Sequence, residues 1–200
     1  MELPRCELVS WEMVERWSDR LEELIRGADR IPGVLVGLTR GGWVPSRMLA
    51  DRLGVKKLYA LRAQHWGITA TPDGKAELAE SLHAPLQGEK VLVVDDITDT
   101  GESLALAEEH VSSLRPGRLE SATFLHLTHS KLRPTYVGEE VPRERWAWFV
   151  FPWNYWEDLR VLSRQAAGSP ADVSAVRETL RERCHLDVPL EDVRRALQGA

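Results

Sequence analysis

The thirteen residues VLVVDDITDTGES at positions 91–103 constrain the fold more than any other feature of the sequence. The first four are apolar and mostly β-branched, which predicts a buried strand. Two acids, several hydroxyl residues and Gly101 follow. Apolar residues then recur at helical spacing: Leu104, Ala107, Val111 and Leu114. A strand, a short polar loop and a helix form the repeating unit of α/β proteins, so we expect an α/β fold.

Further strands are predicted on both sides of this unit, at residues 33–38, 57–61, 122–127 and 148–151. Helical patterns lie between several of them, starting with an amphipathic helix from Ser10 to Gly27. Strands that alternate with helices predict a mostly parallel sheet flanked by helices on both faces.

The remaining segments suggest how the chain is organised. We expect one domain over residues 1–157 and a helical extension over residues 158–200. The extension contains a helix that starts near Ser169-Pro170, a cap residue followed by proline, and it is too short for a core of its own. Within the domain, residues 62–89 are polar and interrupted by Gly and Pro, which predicts a long mobile loop or a β-ribbon.

Composition narrows the possible functions. The chain has 26 Lys and Arg against 31 Asp and Glu, a net charge of −5, so it lacks the basic field that captures nucleic acid or an anionic membrane. Cys6 and Cys184 stand at opposite ends of the sequence, which excludes a disulfide framework and fits a reducing compartment. No apolar run approaches the roughly 18 residues of a membrane span, and no signal-peptide pattern opens the chain. We therefore expect a cytoplasmic protein.

The polar residues after two of the predicted strands form the candidate binding site, because ligands of parallel α/β sheets bind outside the carboxyl ends of the strands. Thr98–Ser103 offers hydroxyls, a glycine and backbone N–H groups at a helix N-terminus, which suit a phosphate monoester. It lacks the spacing and the lysine of a Walker loop. Asp95 and Asp96 must then face the vicinal hydroxyls of a sugar or a magnesium ion carried by the ligand. Receiver domains and Walker B strands also end in two acids, so the pair alone leaves the function open.

Residues 91–103 resemble the phosphoribosyl-diphosphate (PRPP) signature of the type I phosphoribosyltransferases, in which two acids, a spacer and a Thr/Gly phosphate loop occur in that order. The turn TRGG at positions 39–42 is similar to the diphosphate loop of the purine branch, where the peptide bond entering the arginine can be cis. Glycines let the backbone approach a diphosphate, and a guanidinium can hold it in a bidentate manner. The resemblance implies the type I fold, with a flexible hood at about 62–89 and a base-binding hood at about 128–157.

Tryptophan is abundant, with 8 residues against 3 Phe and 3 Tyr, and half of the eight lie within positions 146–156. The sequence WFVFPW in this stretch is similar to the hood of bacterial xanthine-guanine and archaeal purine enzymes. That similarity implies that Trp148 stacks on the purine and that the backbone of Phe149 meets the base edge. It also assigns Lys131 to the 6-oxo group, which favours a 6-oxopurine over adenine. The other tryptophans of the stretch are expected to pack: Trp146, Trp153 and Trp156.

The resemblance implies an enzyme that converts PRPP and a 6-oxopurine (guanine, xanthine or hypoxanthine) to the nucleoside 5′-monophosphate and pyrophosphate in purine salvage. Arg40 would neutralise the departing diphosphate, and Asp99 would be the general base near the purine imidazole ring. Magnesium is the implied cofactor, which Asp95 and Asp96 would meet indirectly, through the ribose hydroxyls. The implied PRPP-binding residues are Thr39, Arg40, Gly41, Asp95, Asp96, Thr98, Asp99, Thr100, Gly101, Glu102 and Ser103.

Two alternatives stay open. A protein with this fold can sense PRPP or a nucleotide without turnover, although the net charge and the complete set of motifs argue against that role. A phosphoribosyltransferase for adenine or a pyrimidine is the other alternative, against which the tryptophan hood and Lys131 argue. The resemblance also implies a homodimer or a larger homo-oligomer, without nucleic-acid or membrane partners.

Overall fold

In the computed structural model, which describes residues 3–65, 76–78, 82–168 and 172–198, contacts divide the chain into two units. One unit is the continuous segment Glu12–Trp146. The other combines both ends of the chain, up to Trp11 and from Ala147 onward. The boundary predicted after residue 157 is a different division and stays a prediction.

The continuous unit is built on a six-stranded sheet. Its strands are β2 (Val34–Thr39), β3 (Lys57–His65), β4 (Ala76–Leu78), β5 (Lys90–Thr98), β6 (Arg118–Leu127) and β7 (Tyr136–Val141), while β1 (Cys6–Leu8) belongs to the other unit. They lie in the order β4-β3-β2-β5-β6-β7. All pairs are parallel except β3 with β4 at the edge. The prediction of a mostly parallel α/β sheet is confirmed.

Helices pack on this sheet because their apolar faces bury its apolar strands. They are α1 (Trp11–Gly27), α2 (Trp43–Leu53) and α3 (Glu102–Ser113). The apolar face predicted for α3 is buried at Leu104, Ala107 and Val111, in one cluster with strand residues such as Val36 and Val93. Burying a leucine or valine side chain contributes about 1.5–3 kcal/mol to stability, so these contacts hold α3 against the sheet.

The fifth parallel strand differs from the predicted one. It is β7, an edge strand that carries Glu139 and Glu140 and therefore lacks the apolar pattern of a buried strand. The strand predicted at 148–151 does form, as β8 (Trp148–Val150), but it pairs in parallel with β1 (Cys6–Leu8) in a separate two-stranded sheet. A strand as short as β1 leaves no periodic signal in the sequence.

The segment predicted as a flexible hood, residues 62–89, contains a β-ribbon where it is described, because β3 and β4 pair in antiparallel. Residues 66–75 and 79–81 of this segment lie outside the described residues. Beyond them, Leu82 and Leu86 are buried in the core, and the backbone N–H of Leu82 donates to Nε2 of His110 at 2.9 Å. The end of the segment is thus anchored to α3.

The unit formed by the chain ends has its own core. Its helices are α4 (Tyr155–Ala166), α5 (Val173–Cys184) and α6 (Leu190–Gln198). Their apolar faces pack with Leu3, Cys6 and Val150 from around the two short strands. The extension predicted to be too short for a core therefore shares one with the N-terminal residues.

The start of α5 lies after the predicted Ser169-Pro170 pair. Asp172 is the N-cap, and its carboxylate accepts the N–H of Ser174 at 2.9 Å. Residues 169–171 are outside the described part of the chain. Of the helices that the structure describes, none is long and apolar enough to cross a membrane.

Cys6 and Cys184 are free thiols, but they are not far apart. Cys6 is 4% exposed and Cys184 is fully buried, both in the core of the unit formed by the chain ends. A hydrogen bond between the two thiols, followed by burial, raises the pKa of Cys6 well above its usual range. Their separation along the sequence therefore does not predict how close these two residues lie in the fold.

Candidate active site

Asp95 and Asp96 lie near the carboxyl end of β5, between β2 and β6 in the middle of the sheet. Asp96 is 6% exposed, and its backbone N–H donates to Oδ1 of Asp95 at 3.0 Å. Loss of solvation, followed by repulsion from Asp96, raises the pKa of Asp95 well above its usual range. Carboxylates whose charged form is destabilised in this way are typical of binding and catalytic sites.

A cavity of about 200 Å³ opens after β5 and is lined by the continuous segment 95–104. Pockets for drug-sized ligands measure roughly 300–1,000 Å³, so this one suits a phosphate-bearing fragment of a larger ligand. Gly101 precedes α3 with φ of 85°, and a Cβ at this position would lie 2.7 Å from Oγ of Ser130. Glycine is therefore required where the loop turns into the positive N-terminal end of α3.

The hydroxyls of this loop point in different directions. Thr98 is buried, and its hydroxyl donates to that of Thr123 in β6 at 3.2 Å. Thr100 is exposed, and its Oγ1 accepts the N–H of Glu102 at 3.3 Å. Glu102 and Ser103 open α3 and are half-buried. Of the predicted hydroxyls, those of Thr100 and Ser103 are thus the more accessible to a phosphate.

The turn at residues 39–42 lies directly on the acid pair. A Cβ on Gly41 would lie 2.6 Å from Cγ of Asp96, and a Cβ on Gly42 would lie 2.7 Å from Cα of Asp95. Both positions need glycine because the turn and the end of β5 touch there. The structure therefore brings together two loops that are separated by some fifty residues in the sequence and that the resemblance assigns to one ligand.

The same turn is held at both of its ends. The Thr39 hydroxyl donates to the carbonyl of Leu61 at 3.4 Å, and the Ser46 hydroxyl donates to the carbonyl of Gly42 at 2.5 Å. The peptide bond between Thr39 and Arg40 is cis. The Arg40 side chain is exposed, which leaves its guanidinium accessible to an anionic ligand.

A further loop, residues 128–135 between β6 and β7, lies against the loop at residues 98–103. The backbone N–H of Lys131 donates to the carbonyl of Thr100 at 3.3 Å, while the Lys131 side chain is exposed. Nε2 of His129 lies 2.9 Å from Oδ1 of Asp99. His129 cannot be recognised from the sequence, because a lone histidine thirty positions from its partner carries no spacing signal. Only the adjacency of β5 and β6 reveals the pair.

Trp148 and Phe149 lie in the unit formed by the chain ends. The N–H of Trp148 donates to the carbonyl of Arg5 at 2.8 Å, on the side of β8 that faces β1. Because successive residues of a strand direct their backbone groups to alternate edges, the N–H and carbonyl of Phe149 face the opposite edge. The Trp148 side chain is partly buried against the core of this unit. Their roles toward the base stay predictions.

Two of the other tryptophans pack as predicted. Trp153 stacks on Phe151 with 4.9 Å between ring centroids, and it meets Trp11 edge-on at 6.0 Å. Trp156 lies 4.7 Å from the Arg195 guanidinium. Trp146 is 38% exposed, so it does not pack in the core of this chain, and the alternative of packing at an interface stays a prediction.

The sequence matches the phosphoribosyl transferase domain over residues 10–158, a stretch that contains both loops. The chain belongs to this family. It is 28% identical, over 152 residues, to the xanthine-guanine phosphoribosyltransferase of Cereibacter sphaeroides, covering 73% of this chain and 85% of the relative. The predicted resemblance is confirmed, and with it an enzyme that transfers a pentosyl group.

Solved structures agree with this membership. The purine phosphoribosyltransferase of Pyrococcus horikoshii is similar with a TM-score of 0.64 and 26% identity, over 74% of this chain and 93% of that one. The xanthine-guanine-hypoxanthine phosphoribosyltransferase of Helicobacter pylori shares the fold with a TM-score of 0.62 and 24% identity, over 80% of this chain and 99% of that one.

Proposed function

We propose that this phosphoribosyltransferase acts in purine salvage and transfers the phosphoribosyl group of PRPP to a 6-oxopurine. The products are the nucleoside 5′-monophosphate and pyrophosphate. The observation that carries the proposal is the packing of the turn 39–42 on Asp95 and Asp96, next to a cavity of phosphate size. PRPP carries a diphosphate, a sugar and a second phosphate, so it has one group for each of these three features. The names of the relatives support a purine as the acceptor.

Each end of PRPP has a group to hold it. Thr98–Ser103 and the N-terminal end of α3 would bind the 5′-phosphate, with Gly101 allowing close approach. Asp95 and Asp96 would accept hydrogen bonds from the ribose hydroxyls. Such bonds would also replace part of the solvation whose loss, followed by repulsion from Asp96, raises the pKa of Asp95.

The chemistry is substitution at C1 of the ribose. The bond from C1 to the diphosphate oxygen breaks, its electron pair leaves with the diphosphate, and a bond forms from C1 to a ring nitrogen of the base. Arg40 would stabilise the charge on the diphosphate, and Asp99 would accept the proton that the base loses. Exclusion of water protects the oxocarbenium-like ribose from hydrolysis.

The acid pair fits a magnesium ion that arrives with PRPP. Magnesium retains several waters and binds one or two carboxylates together with substrate phosphates. Asp95 and Asp96 supply two adjacent carboxyl groups that would meet the ion indirectly, through the ribose hydroxyls, and the described parts of the chain hold no cluster of three His, Cys, Asp or Glu side chains that would bind a metal by themselves. Bound in this way, magnesium would neutralise charge on the diphosphate.

The base would be recognised by Lys131, Trp148 and Phe149. A lysine ammonium only donates hydrogen bonds, so it favours the 6-oxo group of guanine, xanthine or hypoxanthine over the 6-amino group of adenine. Stacking of a base on an indole contributes about 1–3 kcal/mol. The exposed ammonium of Lys131 and the edge-facing backbone of Phe149 support these roles.

The test is incubation of the protein with PRPP, magnesium and each of guanine, xanthine, hypoxanthine, adenine and uracil, with pyrophosphate release as the readout. We expect release with at least one 6-oxopurine, slower release with adenine and uracil, and none when a chelator removes magnesium. Faster turnover of adenine or uracil would contradict the base assignment. No release with any base, combined with tight PRPP binding in a calorimeter, would indicate a sensor instead of an enzyme.

A further inference from the structure

The contact between Asp99 and His129 joins two loops of the candidate active site. Asp99 follows the last residue of β5, and His129 stands near the start of the loop after β6. In the sheet, Thr98 pairs with His126, so the two loops leave from neighbouring positions. Oδ1 of Asp99 and Nε2 of His129 lie 2.9 Å apart, a normal hydrogen-bond length.

The side chains of His129 and Asp99 are 30% and 45% exposed, and such surface pairs contribute little by themselves, so the backbone around the contact matters. The next residues of the two loops also touch. The N–H of Lys131 donates to the carbonyl of Thr100, and Gly101 lies so close to Ser130 and Leu132 that it has no room for a side chain. The backbones on both sides of the contact are therefore held together.

We propose that His129 is a positioning residue for Asp99, an inference that rests on the proposed function. An ionised carboxylate only accepts hydrogen bonds, so Nε2 of His129 carries the proton and donates to Oδ1. The bond leaves Oδ2 of Asp99 to take the proton that the base loses when its ring nitrogen bonds to C1 of the ribose. His129 touches neither the base nor PRPP in this role.

Two variants of His129 test the role. His129→Ala removes the donor, and we expect kcat to fall about tenfold to a hundredfold, the usual effect of losing a hydrogen bond to a charged group, with little change in KM for PRPP. His129→Gln places an amide N–H near the former Nε2 and should recover most of the loss. Thr128→Ala, an exposed neighbour, is the matched control and should match the wild type.

A double variant separates positioning from a general structural role. If His129 acts only through Asp99, then Asp99→Ala combined with His129→Ala should be no slower than Asp99→Ala alone, because effects of coupled residues do not add. All variants should unfold at the wild-type temperature. Nitrogen NMR of the free protein should show His129 in the Nε2–H tautomer, and Asp99→Ala should remove that preference.

The outcomes are distinguishable. Wild-type kcat in His129→Ala, no recovery in His129→Gln, or additive losses in the double variant would each overturn the positioning role while the proposed function stands. A wild-type protein that turns over no base would overturn the proposed function and the positioning role with it. In that case the NMR measurement would still report on the contact itself.

Discussion

The carboxyl groups at the end of β5 are packed where solvent reaches them poorly. Asp96 is almost completely buried, and Asp95 stands beside it with a raised pKa. Desolvation and repulsion both penalise the charged form, so the folded protein without ligand is less stable with two carboxylates than it would be with neutral groups of the same shape. A residue that lowers stability at the site of binding indicates selection for ligand recognition.

Asp95→Asn should raise the melting temperature at pH 7 while weakening PRPP binding. A carboxyl with a raised pKa in the folded state destabilises that state increasingly as the pH rises from its usual value of 3.8 toward the raised value. The variant's advantage should therefore be present at pH 7 and vanish below about pH 4. Thermal unfolding across this pH range is the measurement. Asp29→Asn, which changes the same charge at an exposed position, is the control.

A variant that is no more stable than the wild type at pH 7, or whose advantage persists at low pH, would contradict this reading of the Asp95 environment.

The sequence predicts those site residues that follow one another in a single segment. Asp95, Asp96 and Gly101 are recognisable because strand, acids and glycine follow one another in a single segment. The direction of the Thr98 hydroxyl depends on Thr123, and the partner of Asp99 is His129, both from β6. Contacts between strands follow from register, and no local pattern encodes them.

At the scale of elements, the site depends on one strand–turn–helix unit lying on another. The turn between β2 and α2 touches the end of β5 at Gly41 and Gly42. The parallel pairing of β2 with β5 sets this approach, with Val34 opposite Val91 and Gly37 opposite Val94. The order of apolar segments predicts both units, whereas β7 and β1 escape prediction because one is acidic and the other has only three residues.

Gly41→Ala should weaken PRPP binding by about tenfold or more and lower the free energy of unfolding by about 1–3 kcal/mol, the usual cost of inserting atoms into a packed place. The added methyl would collide with the Asp96 carboxylate and push the turn off β5. Urea unfolding and PRPP calorimetry are the measurements. Gly27→Ala, where a Cβ meets nothing within 4 Å, is the control. Equal effects of the two substitutions would show that the close approach does not matter.

At the scale of the whole molecule, one core is assembled from both ends of the chain. β1 supplies Cys6, α5 supplies Cys184, and the two thiols meet in that core. The sequence indicates helices in the last forty residues but gives no sign that they share a core with the first ten. That information lies in the pairing of β1 with β8.

Glu7→Pro should make both cysteines reactive in the otherwise native protein. Proline removes a backbone donor from β1, and a lost buried hydrogen bond makes local opening about tenfold or more frequent. The measurement is the rate at which a thiol reagent modifies Cys6 and Cys184 without denaturant. Glu7→Gln keeps the backbone donor and should leave the thiols as protected as in the wild type. If Cys184 stays protected in Glu7→Pro, its burial does not depend on β1.

The pairing of Cys6 with Trp148 also determines when β1 can join its sheet during synthesis. The partner of β1 follows it by about 140 residues, and the helices that complete the shared core come later still. At about 5–20 residues per second, β1 waits roughly 7–30 s with its apolar residues uncovered. The segment Glu12–Trp146 is complete before that wait ends, so the unit that contains residues 39–42 and 95–103 can fold first on the ribosome.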